Sequence, residues 1–389
     1  MDVLQRGIVT LLRSAITGEA LPLPEGFRIA DALEQVKRHA MVTLIYEGAV
    51  RCGLDKRDEA MQQLFHAYYK MLLKSEGQLA QLAQLYSAFE GNGIEYLPLK
   101  GCNMKARYPR PELRVMGDAD ILIRMEQYDR IVPIMESLGF SFQVESDHEL
   151  RWLNQRLLVE LHKWVIPSYN QDYYAYFGDG WKLAEKSSGT RYAMSAENEF
   201  LYMLTHFAKH FRDGGIGCRH VVDLWVFLRT QQELDMTKIR QELENLQLLE
   251  FYDHIRALIS HWFEDGAGDD RTECISAFVF ASGSWGKEES IVISRSVKLG
   301  KQALPGVGGR AVFVWQRFFP PVAVMKRDYP ILQKQVWLLP FVWVYRIFYK
   351  VLVERKNLKP YEKELAWMSD ENQRQRQQLL ECVGLDYRF

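Results

Sequence analysis

The most restrictive feature of the sequence is an alternation of strand-like and helix-like segments in the middle of the chain. Short β-prone runs at Ile94–Leu99 and Asp118–Ile123 precede a helical stretch, Met125–Leu138, and further strand-like runs follow at Phe140–Glu145 and Arg156–Val165. In the second run apolar and polar residues alternate, as they do in a strand with one buried face. Strand and helix segments in such close succession predict a compact mixed α/β unit.

Helical patterns occupy the chain on both sides of this unit. Leucines recur at helical spacing until Gly91, and apolar stripes with the same spacing return after Ala196. The chain has 389 residues, of which 48% are hydrophobic and 25% charged, which excludes a largely disordered or fibrous protein. We therefore predict an α/β core at residues 91–190 between helical regions at residues 1–90 and 191–389.

The composition also limits the compartment and the kinds of partner. The formal net charge is −1, so the chain as a whole is not a binder of polyanions through bulk charge. Its five cysteines are scattered and form no CxxC pair, which argues against a disulfide framework or a zinc knuckle. The N-terminus is typical of a helix, not of a signal peptide, and the longest apolar run, Val336–Tyr345, is too short to span a bilayer. We predict a cytoplasmic protein.

The strongest chemical signal is a pair of aspartates, Asp118 and Asp120, at the start of the second strand-like run and directly after Gly117. Residues i and i+2 of a strand share a face, so the two carboxylates point the same way, about 7 Å apart along the chain. Two acids on one face can hold Mg²⁺, which takes oxygen ligands and leaves room for substrate phosphates. Such a pair is a weak motif when it stands alone, because acids at strand starts are common and usually solvated.

Two neighbouring features strengthen this prediction. Lys100 and Gly101 lie where the first strand-like run meets a short helical stretch, Cys102–Tyr108. The N–H groups at a helix start favour a phosphate, and the lysine could add a charge to the site. Glu160 lies in a run that predicts a neighbouring strand, which would bring a third carboxylate to the aspartates. Three carboxylates can hold two metal ions, or include a base for an acceptor hydroxyl, as in-line phosphoryl or nucleotidyl displacement requires.

The ordered motifs resemble a known protein family. The stretch YLPLKGCNMKARYPRPELRVMGDADILI, followed by a helix and then by VELHKW, is similar to the nucleotidyltransferase superfamily that includes DNA polymerase β. It resembles more closely the bacterial uncharacterised nucleotidyltransferases, whose pattern is LKG…YP…R…GDxDxLV with a later (D/E)xH. The resemblance covers about 75 residues of the chain. It implies an α+β fold with a small mixed-sheet nucleotidyltransferase core flanked by N- and C-terminal helical regions.

The resemblance also implies an activity and the residues that perform it. The chain would move a nucleoside monophosphate from an NTP to an acceptor hydroxyl and release pyrophosphate, with Mg²⁺, or alternatively Mn²⁺, as cofactor. The catalytic residues and metal ligands would be Asp118, Asp120 and Glu160. The nucleotide-binding residues would be Lys100, Gly101, Arg114 and Gly117, with the arginine either touching phosphate or bracing the loop.

One position departs from the superfamily pattern. Cys102 follows Gly101 where the wider superfamily has a serine, so a hydroxyl contact with the triphosphate is absent. This departure supports the alternative that the chain is a non-catalytic nucleotide-binding or scaffold protein that kept the fold. A purely structural interpretation of the acids also stays open. The aspartates would then cap a strand, and Glu160 would pair with His162 or Arg156.

Two pairs of residues four apart lie in the helices that follow. His206 and His210 share a helical face at a spacing that can ligate zinc, but no third ligand accompanies them. We predict a packing or hydrogen-bonding role for them. The resemblance adds that these two histidines, together with His162, line the cleft. Arg219 and Asp223 on the next helix have the spacing of an ion pair.

The sequence does not specify the acceptor, the NTP or the oligomeric state. Superfamily members modify small hydroxylated molecules such as antibiotics, tRNA ends or protein side chains, and a nucleotidylating toxin belongs to this range. Lys301–Pro360 carries 11 Lys and Arg against two acids, interleaved with aromatic residues. RNA or an anionic membrane surface is bound by such residues, and a membrane-surface role through residues 331–352 is a third hypothesis. We interpret the aromatic residues as helical core with a basic rim.

Overall fold

The computed structural model describes residues 1–168, 170–283, 286, 288–302, 309–352 and 358–386. These residues fall into two compact units. The first consists of residues 1–209 and 216–283, and the second of residues 210–215 and 286–386. The candidate carboxylates all belong to the first unit. The division into three regions with boundaries near residues 90 and 190 stays a prediction.

The described part of the first unit contains one seven-stranded mixed sheet with the strand order β3-β4-β5-β2-β1-β7-β6. The strands are β1 (Tyr96–Pro98), β2 (Ala119–Ile123), β3 (Ser141–Glu145), β4 (Glu149–Leu153), β5 (Leu158–His162), β6 (Ala184–Ser188) and β7 (Arg191–Met194). β2 runs parallel to β5 and antiparallel to β1, and β4 runs antiparallel to β5. The predicted α+β fold class, a mixed sheet with helical regions before and after it, is confirmed.

Helices precede, interrupt and follow the sheet. In the first unit they are α1 (Val3–Thr17), α2 (Ile29–Arg38), α3 (Val42–Arg51), α4 (Glu59–Gly91), α5 (Gly101–Met104), α6 (Tyr128–Ser137), α7 (Gln171–Phe177), α8 (Ala196–Asp213), α9 (Cys218–Thr230), α10 (Met236–Asn245), α11 (Leu249–Phe263) and α12 (Asp270–Ser282). The last turn of α8 belongs to the second unit.

The described residues of the second unit form helices joined by turns and loops, with no strand among them. Its helices are α13 (Glu288–Gln302), α14 (Gly309–Phe318), α15 (Val322–Asp328), α16 (Ile331–Lys334), α17 (Leu339–Leu352), α18 (Leu358–Trp367) and α19 (Asp370–Cys382). Short 3₁₀ turns in the two units are Lys105–Arg107, Pro111–Leu113, Met125–Gln127, Trp181–Leu183 and Val336–Leu338.

The side chains of β2 alternate between a face of the sheet that helices cover and the opposite face. Ala119, Ile121 and Ile123 pack in the hydrophobic core that α4 and α6 share with the sheet. Because successive side chains of a strand point to opposite faces, Asp120 lies on the other face. β5 behaves in the same way, with apolar residues in this core and polar residues opposite. We call this opposite, polar side of β2, β4 and β5 the site face.

Three strands were not predicted from the sequence. β4 alternates apolar residues of the core with charged residues, and the other two, β6 and β7, follow the predicted strands along the chain. β6 lies at the edge of the sheet, and four of its five residues are exposed. A strand without a buried apolar face carries no hydrophobic period, so its sequence gives no strand signal.

Aromatic residues of the second unit contradict our interpretation of them as helical core. Trp337, Phe341 and Phe348 are 69%, 67% and 61% exposed. The core interpretation is therefore wrong for these three residues and for the exposed Trp315, Phe318 and Tyr349. Trp343, in contrast, is partly buried and donates to the Pro320 carbonyl oxygen. A surface for RNA or for an anionic membrane stays a prediction, and residues 303–308 and 353–357 of this stretch lie outside the described residues. No helix found in the described ranges is both long enough and apolar enough to cross a membrane.

Candidate active site

Three side chains converge on the site face of the sheet. Asp120 on β2 and Glu160 on β5 are register partners in adjacent parallel strands. His162 lies two residues further along β5 and so projects from the same face. All three side chains are buried, and one potential ligand atom from each lies within 4.8 Å of the other two. The fold thus brings two carboxylates and an imidazole into one cluster, which we call the acidic cluster.

Asp120 is the centre of the hydrogen bonds in this cluster. Its Oδ1 accepts from Lys100 Nζ at 2.7 Å and from His162 Nε2 at 2.8 Å. Burial acts to raise the pKa of Asp120, but the Lys100 ammonium and the hydrogen bond from His162 outweigh it and hold the pKa well below its usual range. Asp120 is therefore ionised at neutral pH. Because an ionised carboxylate only accepts, the His162 ring carries a proton on Nε2.

Lys100 has a strained backbone. Its φ is +41° and its ψ is −112°, in a region that residues with a Cβ rarely adopt. Strain of this kind costs on the order of 1–3 kcal/mol and is typical of functional sites. The helix predicted at Cys102–Tyr108 begins at Gly101 and is α-helical for only four residues. A helix this short is not by itself an anion site, and the Lys100 ammonium is held by the Asp120 carboxylate.

Asp118 lies directly before β2 and is half-buried, whereas Gly117 is exposed. Burial and the neighbouring charge of Asp120 raise the pKa of Asp118. Within the part of the chain that the structure describes, Asp118 is not a member of the acidic cluster of three. The structure therefore brings Asp120 and Glu160 together directly, with Asp118 at the edge of the same face.

Glu160 has a different environment from Asp120. Its Oε1 accepts from Arg151 Nε at 2.9 Å, and its Oε2 lies 3.9 Å from His162 Nε2. Burial, together with the charges of Asp120 and then of Asp118, raises the pKa of Glu160 to about 8. Arg151 lies on β4, which the sequence did not predict as a strand, so this partner was missed.

Arg114 is buried and is held by α9. Its Nε and Nη2 each donate to an oxygen of Asp223 at 2.9 Å, and Tyr108 Oη donates to the same carboxylate at 2.6 Å. A Cβ added to Gly101 would come within 2.8 Å of Arg114 Nη1, so the guanidinium lies against the loop backbone. These contacts favour a bracing role for Arg114. The neighbouring Arg219 donates to the Val115 carbonyl oxygen at 3.3 Å.

The two histidines of α8 lie in different units. His206 is one turn after Tyr202, with 6.3 Å between the ring centres. Tyr202 is buried, and burial raises the pKa of its hydroxyl although the Lys100 ammonium acts to lower it. His210 belongs to the second unit. Neither histidine is part of a group of three potential metal ligands in the described residues. Their role in lining the cleft stays a prediction, as it does for His162.

β4 contributes polar residues to the site face that sequence reasoning did not identify. Glu149 pairs in register with His162, and Arg151 pairs with Glu160. Arg151 also bridges the two acids, since its Nη2 lies 2.6 Å from Glu149 Oε1. The sequence ELRWL does alternate charged and apolar residues, which is the signal that would have indicated this strand.

Comparison with known proteins places these residues in a family. A family model described as "uncharacterised nucleotidyltransferase" matches residues 25–264, more than half of the chain. Among solved structures, the antibiotic-resistance factor ANT(2'')-Ia is similar over 48% of this chain and 97% of its own, at 14% identity and a TM-score of 0.33, a similarity that supports no inference about this chain. No curated protein matches the chain. The matched residues include the whole acidic cluster, and this chain belongs to the family of uncharacterised nucleotidyltransferases.

Proposed function

We propose that this chain transfers a nucleoside monophosphate from an NTP to the hydroxyl group of an acceptor. The observation that carries the proposal is the pairing of Asp120 with Glu160 on adjacent strands, in a chain of a nucleotidyltransferase family. In this reaction the acceptor oxygen forms a bond to the α-phosphorus as the bond between that phosphorus and the bridging oxygen breaks. Pyrophosphate leaves with the electron pair, and the hydroxyl proton passes to a base.

The acids of the site face fit a divalent metal ion. Asp118 and Asp120 would hold Mg²⁺ or Mn²⁺, because carboxylate oxygens are the ligands that these ions prefer, and Glu160 would lie beside the ion. The fit is supported by the short distances within the acidic cluster and by the ionised state of Asp120. A bound divalent cation supplies neutralisation of the negative charge on the reacting phosphates.

The side chains of the cluster divide the remaining work between them. The Lys100 ammonium would bind the triphosphate, with its loop braced by Arg114. His162 donates to Asp120 and so orients that carboxylate toward a bound cation. Glu160, with a pKa of about 8, is suited to accept the proton of the acceptor hydroxyl near neutral pH. Asp120 is not suited to that task because its pKa is too low.

The proposal is tested by nucleotide transfer in vitro. The full-length chain is incubated with Mg²⁺ and each NTP labelled at the α-phosphate, with small hydroxylated molecules, tRNA or protein as acceptors. We expect a labelled acceptor that is lost with EDTA and in the double variant Asp118→Asn/Asp120→Asn. Asp129→Asn, which alters an exposed aspartate of α6, is the matched control and should label normally.

Two outcomes would contradict the proposal. Equal labelling by the double variant and the wild type would remove the acidic residues from the reaction. Mg²⁺-dependent NTP binding without transfer to any acceptor would instead support the non-catalytic nucleotide-binding alternative.

A further inference from the structure

A second group of potential metal ligands lies beside the acidic cluster. One potential ligand atom from each of His148, Glu149 and His162 lies within 4.8 Å of the other two. Glu149 and His162 are cross-strand partners on β4 and β5, and the ring centres of the two histidines are 5.6 Å apart. We call this group the imidazole cluster. It shares only His162 with the acidic cluster.

Each imidazole in the cluster has one nitrogen on a carboxylate and the other buried without a partner. His162 Nε2 lies 2.8 Å from Asp120 Oδ1, and His148 Nε2 lies 3.1 Å from Glu149 Oε2. Among the residues that the structure describes, neither Nδ1 atom has a hydrogen-bond partner, although both atoms are buried. A buried polar atom without a partner is unfavourable, so two of them in one small cluster need an explanation.

The protonation state of the rings sharpens this point. His162 Nε2 faces the ionised carboxylate of Asp120, which only accepts, so Nε2 carries the proton of that ring. In a neutral His162 ring the Nδ1 atom is then a lone pair, which is the form of imidazole that binds metal ions. His148 Nε2 and Glu149 Oε2 lie 3.1 Å apart, close enough for one metal ion to bind both atoms in place of the ring proton.

We propose that His148, Glu149 and His162 bind a transition-metal ion, with Zn²⁺ as the best-matched ion. Two histidines and a glutamate are a donor set that zinc takes in proteins, with a fourth position open to water. Imidazole nitrogens suit Zn²⁺ and its neighbours, whereas Mg²⁺ prefers the oxygen ligands of the acidic cluster. The hydrogen bond from His162 to Asp120 supplies the carboxylate behind a metal-binding histidine that such sites generally have.

A metal ion at this position would act on the acidic cluster through His162. Coordination fixes the ring orientation and keeps the proton on Nε2, and that proton is the one donated to Asp120. The ion would therefore position Asp120 without contacting a substrate. This proposal does not rest on nucleotide transfer. It concerns metal binding by His148, Glu149 and His162, and none of these is one of the three proposed catalytic carboxylates.

The test is Co²⁺ binding by the untagged full-length chain, stripped with a chelator and kept in excess Mg²⁺ to occupy the acidic cluster. Co²⁺ takes the place of Zn²⁺ and reports its protein ligands by visible absorption. We expect a saturable band that Zn²⁺ displaces. His148→Gln should weaken Co²⁺ binding by more than the roughly 10–100-fold that loss of a residue behind a ligand costs. Asp118→Asn is the control from the acidic side and should bind within a few-fold of wild type.

His148 is partly exposed and lies just before β4, so its replacement should leave the fold intact, which circular dichroism checks. If His148→Gln is misfolded, Glu149→Gln provides the same comparison. The proposal is overturned if the wild type gives no saturable band, or if the histidine variant binds as tightly as wild type. It is also overturned if the band survives in His148→Gln and disappears in Asp118→Asn, because the ion then belongs to the acidic cluster. No NTP or acceptor is present, so these results are independent of the transfer assay.

Discussion

Asp120 and Glu160 lie opposite each other on two parallel strands, yet the pKa values of their carboxyls move in opposite directions. Asp120 has Lys100 and His162 on one oxygen, which keeps it ionised. Glu160 is buried beside that negative charge, and its pKa rises to about 8. Two carboxyls separated in this way can perform different tasks, one as a permanent anion and the other as a group that exchanges a proton near neutral pH.

The raised pKa of Glu160 predicts a pH-dependent cost to stability. Between the ordinary pKa of 4.5 and the folded pKa of about 8, the folded chain holds a proton that the unfolded chain has lost. The free energy of unfolding therefore falls as pH rises through this window, by at most about 1.4 kcal/mol per pH unit from this group. Glu160→Gln cannot titrate, so its stability relative to wild type should increase from pH 5 to pH 8.

Urea unfolding at several pH values, with a chelator present, measures this difference. Glu126→Gln is the control, because it changes an exposed glutamate of the same unit and should follow the wild-type pH dependence. A Glu160→Gln curve parallel to the wild-type curve would contradict the raised pKa.

The two aspartates of the motif should differ in their effect on stability. Asp120→Asn removes the buried charge that Lys100 and His162 contact and should lower the free energy of unfolding by about 3 kcal/mol. Asp118→Asn should stay within about 1 kcal/mol of wild type, because the raised pKa shows that the charge of Asp118 is unfavourable in the fold. Both variants should lose nucleotide transfer. Denaturant unfolding and the transfer assay, run on the same preparations, separate the two effects, and equal stability losses would count against this account.

The sequence predicted the parts of the fold that carry a local period. β1, β2, β3 and β5 lie within their predicted runs, which are rich in β-prone residues and, for β2, alternate apolar with polar residues. The polar edge strand β6 has no such period and was missed. The prediction for the apolar α17 was wrong for a different reason. Aromatic residues are usually buried, but Phe341 of this helix is exposed.

The site was predictable to the extent that its residues share a strand or a motif. Asp120 and Glu160 follow from the alternation of two strands and the order of the motifs. The bidentate contact between Arg114 and Asp223 joins positions 109 residues apart, and no local pattern signals it. His148 and Arg151 were missed because they enter the site through β4, which pairs with β5 only once the sheet has formed.

The buried Arg114–Asp223 pair should be far more important to stability than an exposed pair of the same kind. Asp223→Ala leaves the guanidinium and the Tyr108 hydroxyl buried without their acceptor and should cost about 3–5 kcal/mol. Arg240 and Asp253 form a matched bidentate pair whose side chains are about half exposed. Asp253→Ala should cost less than about 1 kcal/mol because solvent screens that pair. Urea unfolding of the two variants makes the comparison, and similar losses would refute it.

The positive φ of Lys100 predicts that glycine is more stable than alanine at this position, the reverse of their order within a helix. Lys100→Ala and Lys100→Gly both remove the ammonium from Asp120, so both should be destabilised and both should bind NTP weakly. They differ in the backbone, since alanine keeps a Cβ at a φ of +41° and glycine does not. The glycine variant should therefore be the more stable by about 1 kcal/mol.

At Lys74, an exposed position within α4, glycine should instead be the less stable by about 0.5–1 kcal/mol. Urea unfolding of the four variants measures both differences, and an alanine variant at position 100 as stable as the glycine variant would show that the loop is unstrained.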